Sequence, residues 1–285
     1  MDSAFDNQFM PELPEVEVTR LSLSDRLIGA SVVGVRVGKP LRWPLGCEVS
    51  ALVGARVAGL DRAGKYLWMP LDKDGAFVGG LLWHLGMSGS LRVQPDDSAP
   101  GVHDHFELLT TNGRLRLTDP RRFGAVVWGP TRELGMPGKL LARLGREPFD
   151  PTLDGAALKR AWQGRRAAIK PTLMAGDVVV GAGNIYACEA LFRAGIDPRL
   201  PAGKLSAPRC ARLLSAVREV LSRALALGGS TLKDFRNAHG ESGYFQLDAM
   251  VYDRAGQACR VCGTAIKTLR QGQRSTFYCP QCQKP

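Results

Sequence analysis

Four of the seven cysteines fall within the last 27 residues, as Cys259-x2-Cys262 and, after sixteen intervening residues, Cys279-x2-Cys282. Each CxxC puts two thiolates on one knuckle, and two knuckles complete a closed, tetrahedral S4 site suited to structural zinc. A redox role would need one CxxC beside a helix start, a context absent here. One structural Zn2+ is therefore expected, held by Cys259, Cys262, Cys279 and Cys282. Between the knuckles lie Lys267, Arg270 and Arg274 with no acidic residue. A β-ribbon there would offer cations to a nucleic-acid backbone, although a solvated basic loop has the same composition. A second anion-seeking feature is Gly181-Ala182-Gly183-Asn184, directly ahead of an apolar-faced segment. Glycines let backbone approach an anion closely, and a helix start turns its N–H groups and positive dipole end toward it. Asn184 could cap that helix or donate to a phosphate.

The elements around these groups change character along the chain. Val33, Val35 and Val37 alternate with Gly34 and Arg36, the period of a half-buried strand. Further strands are expected over Lys65–Met69, Phe77–His84, His105–Leu109, Arg114–Leu117 and Ala125–Trp128, with Asn112-Gly113 as a hairpin turn. Ahead of them, Pro14 fits the first turn of a helix running to about Leu27, and Glu12, Glu15 and Glu17 lie near its positive end. Gly129 to Gly138 is rich in glycine and proline and resembles a connection. Beyond it the period becomes helical. Leu213, Leu214, Val217, Val220, Leu221, Ala224 and Leu225 mark one helix face, stopped by Gly228-Gly229. Ile185, Cys188, Leu191 and Phe192 mark a shorter helix ending at Gly195. The chain therefore divides into a β-rich domain, a helical domain and a small metal module.

Composition bounds the rest. A chain of 285 residues that is 45% hydrophobic folds rather than staying disordered. Its 38 Lys+Arg against 27 Asp+Glu leave +11. That excess suits a polyanion, because each neutralised phosphate releases counterions; a solvated basic surface is the other reading of the same number. No apolar run reaches the roughly 18 residues of a membrane span, and Met1–Met10 lacks the pattern of a signal peptide. A cytosolic chain is expected. In that compartment clustered cysteines hold metal more often than they form disulfides.

Met10-Pro11-Glu12-Leu13-Pro14-Glu15-Val16-Glu17 resembles the start of formamidopyrimidine-DNA glycosylases, the Fpg/MutM family. The resemblance continues through Gly64-Lys65-Tyr66, His84-Leu85-Gly86-Met87-Ser88-Gly89 and His103-Asp104-His105. It extends through Asp119-Pro120-Arg121-Arg122-Phe123-Gly124, Leu144-Gly145-Arg146-Glu147-Pro148, Gly183-Asn184-Ile185-Tyr186, Thr231-Leu232-Lys233-Asp234-Phe235 and the cysteine module. These motifs run in family order from Pro11 to the C-terminus.

The resemblance implies an α+β protein. It would have an N-terminal two-layer β-sandwich with flanking helices over 11–130, a linker over 131–150, a helix–two-turn–helix domain over 151–240 and a β-ribbon zinc finger over 241–285. It implies a bifunctional glycosylase and abasic-site lyase acting on duplex DNA that contains oxidised purines or abasic sites. Pro11 would be the nucleophile: a free N-terminal proline is a secondary amine able to form an iminium with the opened sugar, and an α-amino group has a pKa of roughly 8. Glu12 would move protons at the sugar, Lys65 would serve β-elimination and Arg274 δ-elimination. Met87, Arg121 and Phe123 match void-filling residues, with chemistry suited to wedging a stack and pairing an orphaned base. His103, Arg121, Arg165, Lys170, Asn184 and Arg274 match DNA-contacting positions, Arg165 standing where lysine is common. The Thr231–Tyr252 stretch resembles the loop that closes over flipped 8-oxoguanine, which favours the purine branch over the endonuclease VIII-like branch. A monomer near the bacterial nucleoid is the default expectation.

The chain departs from this pattern at its start. Nine residues precede Met10, and an internal Pro11 is a tertiary amide with no lone pair for attack. The active form is expected to begin at Pro11, with residues 1–10 either untranslated or removed. If they stayed attached, the alternative is a catalytically silent protein that binds damaged DNA.

Overall fold

The structure, a computed structural model, describes residues 10–94, 99–230 and 244–285, which divide into two compact units. The leader Met1–Phe9 and the greater part of the expected lesion loop, 231–243, lie outside the described residues.

The first unit spans the chain to Arg143 and takes in Gly228 to Ser230. It opens with α1 (Leu13–Leu27) and continues through β1 (Val32–Val37), β2 (Arg56–Val57), β3 (Asp61–Ala63), β4 (Tyr66–Lys73) and β5 (Ala76–His84). There follow β6 (Ser90–Gln94), β7 (Asp104–Thr110), β8 (Gly113–Thr118), β9 (Ala125–Gly129) and α2 (Gly135–Leu141). One antiparallel sheet has the order β1-β7-β8-β6; the other has β2-β4-β5-β9, with β3 paired to β4. Leu67, Met69, Leu81 and Trp83 from the second sheet meet Leu91, Phe106, Leu108, Leu115 and Leu117 from the first in one core, joined by Val16, Leu23 and Leu27 of α1. Trp83 and Phe106 meet edge to face at 5.3 Å, a favourable quadrupole arrangement. This is the expected two-layer sandwich.

Two local expectations are corrected. The alternation Val33, Val35, Val37 does not mark the core face: Val33 and Val37 are exposed and Val32 is buried. A register shift between Val32 and Gly34 displaces the strand. A buried ionic cluster instead ties β7 to both of its neighbours, β1 and β8. Glu107 is fully buried and pairs with both Arg36 and Arg116, whose guanidiniums outweigh the upward push of burial and keep its carboxyl below the usual range. The β7–β8 turn is Thr111-Asn112, one residue before the expected pair, because Thr110 pairs with Gly113 and its hydroxyl donates to the Gly113 carbonyl. The expected linker also has structure: α2 lays Met136, Leu140 and Leu141 over Trp68, Leu82 and Val127 on the outer face of the second sheet.

The second unit comprises Leu144–Leu227 and Tyr244–Pro285. Its elements are α3 (Gly155–Trp162), α4 (Ile169–Met174), α5 (Asn184–Arg193), α6 (Ala207–Ala226), α7 (Phe245–Asp248), β10 (Lys267–Gln271) and β11 (Arg274–Tyr278). The predicted face of α6 is the buried one, from Leu213 through Ala224. Asp154 caps α3 by accepting from the Ala157 amide at 2.7 Å. Glu189 of α5 is buried and accepts from the amides of Met250, Val251 and Tyr252 at 2.8–2.9 Å, which fixes the chain leading into the metal module. Helices and zinc ribbon thus form one compact body.

Candidate active site and zinc centre

In the first unit the local chemistry of α1 fixes its first residues. Pro11 is buried, and Glu12 is the N-cap, forming a capping box with Glu15. Glu15 is fully buried and its two oxygens divide their work. One accepts the Glu12 amide at 2.9 Å and the other the Ser230 amide at 2.7 Å. One carboxylate therefore binds the backbone of the candidate catalytic acid and the foot of the segment leading into the expected lesion loop. The Ser230 hydroxyl is buried without a hydrogen-bond partner among the described residues. Sequence reasoning credited Glu15 only with a favourable place on the helix dipole and passed over Ser230.

Farther along α1, Glu17 pairs with Arg20 and, at 2.9 Å, with Arg62 of β3, holding the helix to that strand. The β3–β4 hairpin turns through Gly64 and Lys65, with Gly64 at φ 58, a conformation that glycine adopts without strain. Lys65 is half-buried at this turn. Across the sheet Tyr66 pairs with His84, their rings 4.7 Å apart. Desolvation first, then the charges of Lys65 and Arg42, pull the His84 imidazole down to about 4. It is neutral at physiological pH, its Nδ1 accepting the Gly86 amide at 3.1 Å, so the proton sits on Nε2. Sequence reasoning quoted this histidine in a motif but gave it no role.

His84 leads into the loop bearing Met87, which is stitched to the loop bearing Arg121 and Phe123. Asp119 is fully buried and accepts the Ser88 hydroxyl at 2.6 Å, the Gly124 amide at 2.7 Å and the Arg121 amide at 3.2 Å. Gly86, at φ 66, packs so closely that a Cβ there would lie 2.4 Å from the Gly124 nitrogen. The result is a rim on which Met87 is half-buried, Phe123 is 42% exposed, and the Arg121 guanidinium lies 5.1 Å from the Phe123 ring. All three expected void-filling side chains share it. His103 is exposed at the entry to β7.

In the second unit the expected DNA-contacting residues differ in kind. Asn184 opens α5 and is half-buried, with Gly183 as the N-cap. Arg274 opens β11, opposite Gln271 across the hairpin turn. Arg165 is partly exposed and pairs with Asp177 at 2.8 Å, so a phosphate would compete with that carboxylate. Lys170 is the fully buried member of the set. It is 0% exposed, and its ammonium donates to Asn184 Oδ1 at 2.5 Å, Thr276 Oγ1 at 2.8 Å and the Ser275 carbonyl at 3.0 Å. Its ammonium thus donates to three acceptors of the protein itself.

The four cysteine sulfurs of the metal module all lie within 4.8 Å of one another. The Cys259–Cys282 and Cys262–Cys279 separations are 3.9 and 3.5 Å. A tetrahedral ion with bonds of roughly 2.3 Å needs sulfurs about 3.8 Å apart, so the cradle fits zinc. Backbone amides of Val261 and Cys282 donate to the Cys259 and Cys279 sulfurs, as thiolate ligands require. Hydrogen bonds from Thr264 pull the Cys262 thiol down to about 6, while burial pushes Cys279 and Cys282 up. Four crowded sulfurs lose their protons together only with a cation among them. The chain holds one structural zinc.

Similarity to known proteins follows the same division. The chain matches the Formamidopyrimidine-DNA glycosylase N-terminal domain over residues 10–126, the Formamidopyrimidine-DNA glycosylase H2TH domain over 144–236, and the zinc finger found in FPG and IleRS over 256–285. It is 60% identical to the formamidopyrimidine-DNA glycosylase of Albidiferax ferrireducens over 275 residues, covering 96% of this chain and 100% of that protein. The Polaromonas naphthalenivorans enzyme is 57% identical, with 97% and 100% covered. Among solved structures, the MutM (Fpg) protein of Thermus thermophilus superposes with a TM-score of 0.85 at 36% identity, and Lactococcus lactis Fpg in complex with abasic-site DNA with 0.86 at 31%. Each covers 96% of this chain and 100% of the other. With the sandwich, the helical unit, the zinc cradle and full-length relatives in agreement, this chain belongs to the formamidopyrimidine-DNA glycosylase family of base-excision DNA-repair enzymes.

Proposed function

We propose that the protein excises oxidised purines, 8-oxoguanine and formamidopyrimidines, from duplex DNA and cleaves the resulting abasic strand through a Schiff base on Pro11. The observation that carries this reading is the setting of Pro11-Glu12. The pair lies at a buried helix start that is held to the strand leading into Lys65 and joined through Glu15 to Ser230. The Pro11 nitrogen lone pair attacks C1′, the glycosidic bond breaks, and the base leaves with a proton. Glu12 protonates the sugar ring oxygen as the ring opens to an iminium. That iminium accepts electrons when a C2′ proton is removed and the 3′ C–O bond breaks; a second elimination breaks the 5′ C–O bond. Lys65 and Arg274 carry protons in these two steps. Met87, Arg121 and Phe123 fill the stack that the extruded base leaves. His103, Arg165, Asn184 and Arg274 bind backbone phosphates.

This chemistry requires Pro11 as the N-terminus, so the active form lacks residues 1–10. In support, the match to the family begins at residue 10, and relatives are covered in full by 96% of this chain. The reaction suits a cytoplasmic monomer working near the nucleoid, and no helix of the described residues is long and apolar enough to cross a membrane. A wider lesion range is the second reading, because one solved Lactococcus lactis relative is a complex with DNA containing an oxidised pyrimidine.

The test is strand cleavage by the Pro11-started protein on end-labelled duplexes carrying 8-oxoguanine, a formamidopyrimidine or an oxidised pyrimidine. The reading predicts a gap with phosphate on both flanking ends, formed fastest on the purine lesions. Tight binding with no base release would sink it.

A further inference from the structure

Lys170 is a buried lysine of the second unit, lining a small cleft beside Gln271 and Arg274. Burying an ammonium is unfavourable unless all of its protons are satisfied. Here the three acceptors come from separate parts of the chain: Asn184 at the start of α5, and Ser275 and Thr276 on β11, next to Arg274. The network runs on, since the Thr276 hydroxyl donates to Gln271 Oε1 at 2.9 Å and the Gln271 amide donates to the Pro198 carbonyl at 3.0 Å.

An ammonium only donates. The Asn184 amide must therefore turn its oxygen toward Lys170, which directs its NH2 the other way. Without the ammonium the amide could flip and present an acceptor, which repels phosphate. The bond to the Ser275 carbonyl likewise fixes the Ser275–Thr276 peptide, one residue beyond Arg274. We propose that Lys170 is a positioning residue. It sets the Asn184 amide as a phosphate donor and couples it to the Arg274 end of the zinc hairpin, without itself touching DNA. This rests on the reading of Asn184 and Arg274 as phosphate-binding residues.

The experiment is a double-mutant cycle on the Pro11-started, zinc-loaded protein, using duplex DNA with a tetrahydrofuran abasic analogue as the probe. Kd is measured against salt for the wild type, Lys170→Met, Asn184→Ala and the double variant. A positioning role predicts that Lys170→Met weakens binding roughly tenfold, as expected for losing a hydrogen bond to a charged group. It predicts the same loss in Asn184→Ala and little further loss in the double variant. The salt slope should be unchanged by Lys170→Met, whereas a lost phosphate contact lowers it by about 0.9. Additive losses with a lower slope would make Lys170 a direct contact. Additive losses with the slope intact would make it only a structural tether. Either outcome overturns the proposal.

Should Lys170→Met fail to fold or to retain zinc, Thr276→Val carries the cycle. Its hydroxyl is fully buried and cannot reach DNA. The proposal requires it to weaken binding a few-fold in the wild-type background and not in Asn184→Ala; equal effects in both would refute the coupling. Failure of the wild type to bind the probe would count against the proposed function instead.

Discussion

Gly86→Ala separates the mechanical role of the rim from its chemistry. Gly86 sits at φ 66, where an L-residue loses about 1–2 kcal/mol. The larger effect is steric. The added Cβ would stand 2.4 Å from the Gly124 nitrogen and 2.5 Å from the Phe123 carbonyl carbon. Both are backbone atoms held by Asp119, which accepts the Gly124 amide at 2.7 Å. To reach an ordinary contact of roughly 3.5 Å the two loops must part by about 1 Å, which breaks or stretches that bond. Losing a buried hydrogen bond to a carboxylate adds about 1.5–3 kcal/mol. The expected destabilisation is about 3–5 kcal/mol, read by urea unfolding of the Pro11-started protein. Gly75→Ala is the control, since Gly75 has φ 79 and no atom within 4 Å of its Cβ position. It should lose only the backbone share, about 1–2 kcal/mol. Function should separate the two further. Base extraction needs Met87, Arg121 and Phe123 in place, whereas a preformed abasic site needs no extraction. Gly86→Ala should therefore slow 8-oxoguanine excision far more than abasic-strand cleavage, while Gly75→Ala leaves their ratio alone. If Gly86→Ala matches Gly75→Ala in both stability and ratio, the account of the stitched loops is wrong.

Three further outcomes follow from the same structure. Glu12→Gln keeps a side chain able to cap α1, so stability should change by under about 1 kcal/mol while single-turnover excision falls by about 10²-fold or more; equal losses of stability and rate would make Glu12 only a cap. His84, held near 4 against an ordinary 6.5, contributes stability that is present above pH 6.5 and lost as pH falls through 4, up to about 3 kcal/mol. His84→Asn keeps an acceptor for the Gly86 amide, so chemical denaturation across that window should show the wild type losing ground to the variant; parallel curves would contradict the neutral imidazole. Cys279→Ser or chelation should release one zinc, raise hydrogen exchange across β10–β11 and weaken DNA binding at least tenfold, while exchange in the sandwich stays as it was. Full binding without metal would remove the hairpin from the DNA-binding surface.

Much of this was legible in the sequence because the signals are local. The buried face of α6 follows from apolar spacing alone, and the zinc cradle follows from two CxxC pairs whose sulfurs need only one short hairpin to meet. β6 was equally legible, since Leu91 and Val93 alternate with polar residues, yet a strand of five residues was passed over. The helices α3 and α4 are too short for a helical period to emerge. β1 misled because a register shift breaks the face that its valines advertise. Roles that depend on distant partners were not readable. Glu15 finds Ser230 across 215 residues, and Lys170 finds Thr276 across 106. In sequence such a lysine resembles any phosphate ligand, and its burial among three acceptors shows only in the fold.

The central claim is that the Pro11 amine, once free, is the nucleophile. Borohydride trapping on a duplex with one 8-oxoguanine opposite cytosine tests it directly, comparing the full chain with protein that begins at Pro11. The account predicts a covalent protein–DNA adduct from the Pro11-started form alone, with the cross-linked peptide carrying DNA at Pro11. An adduct at another residue, or equal trapping by a full chain whose leader is intact by mass, would contradict it.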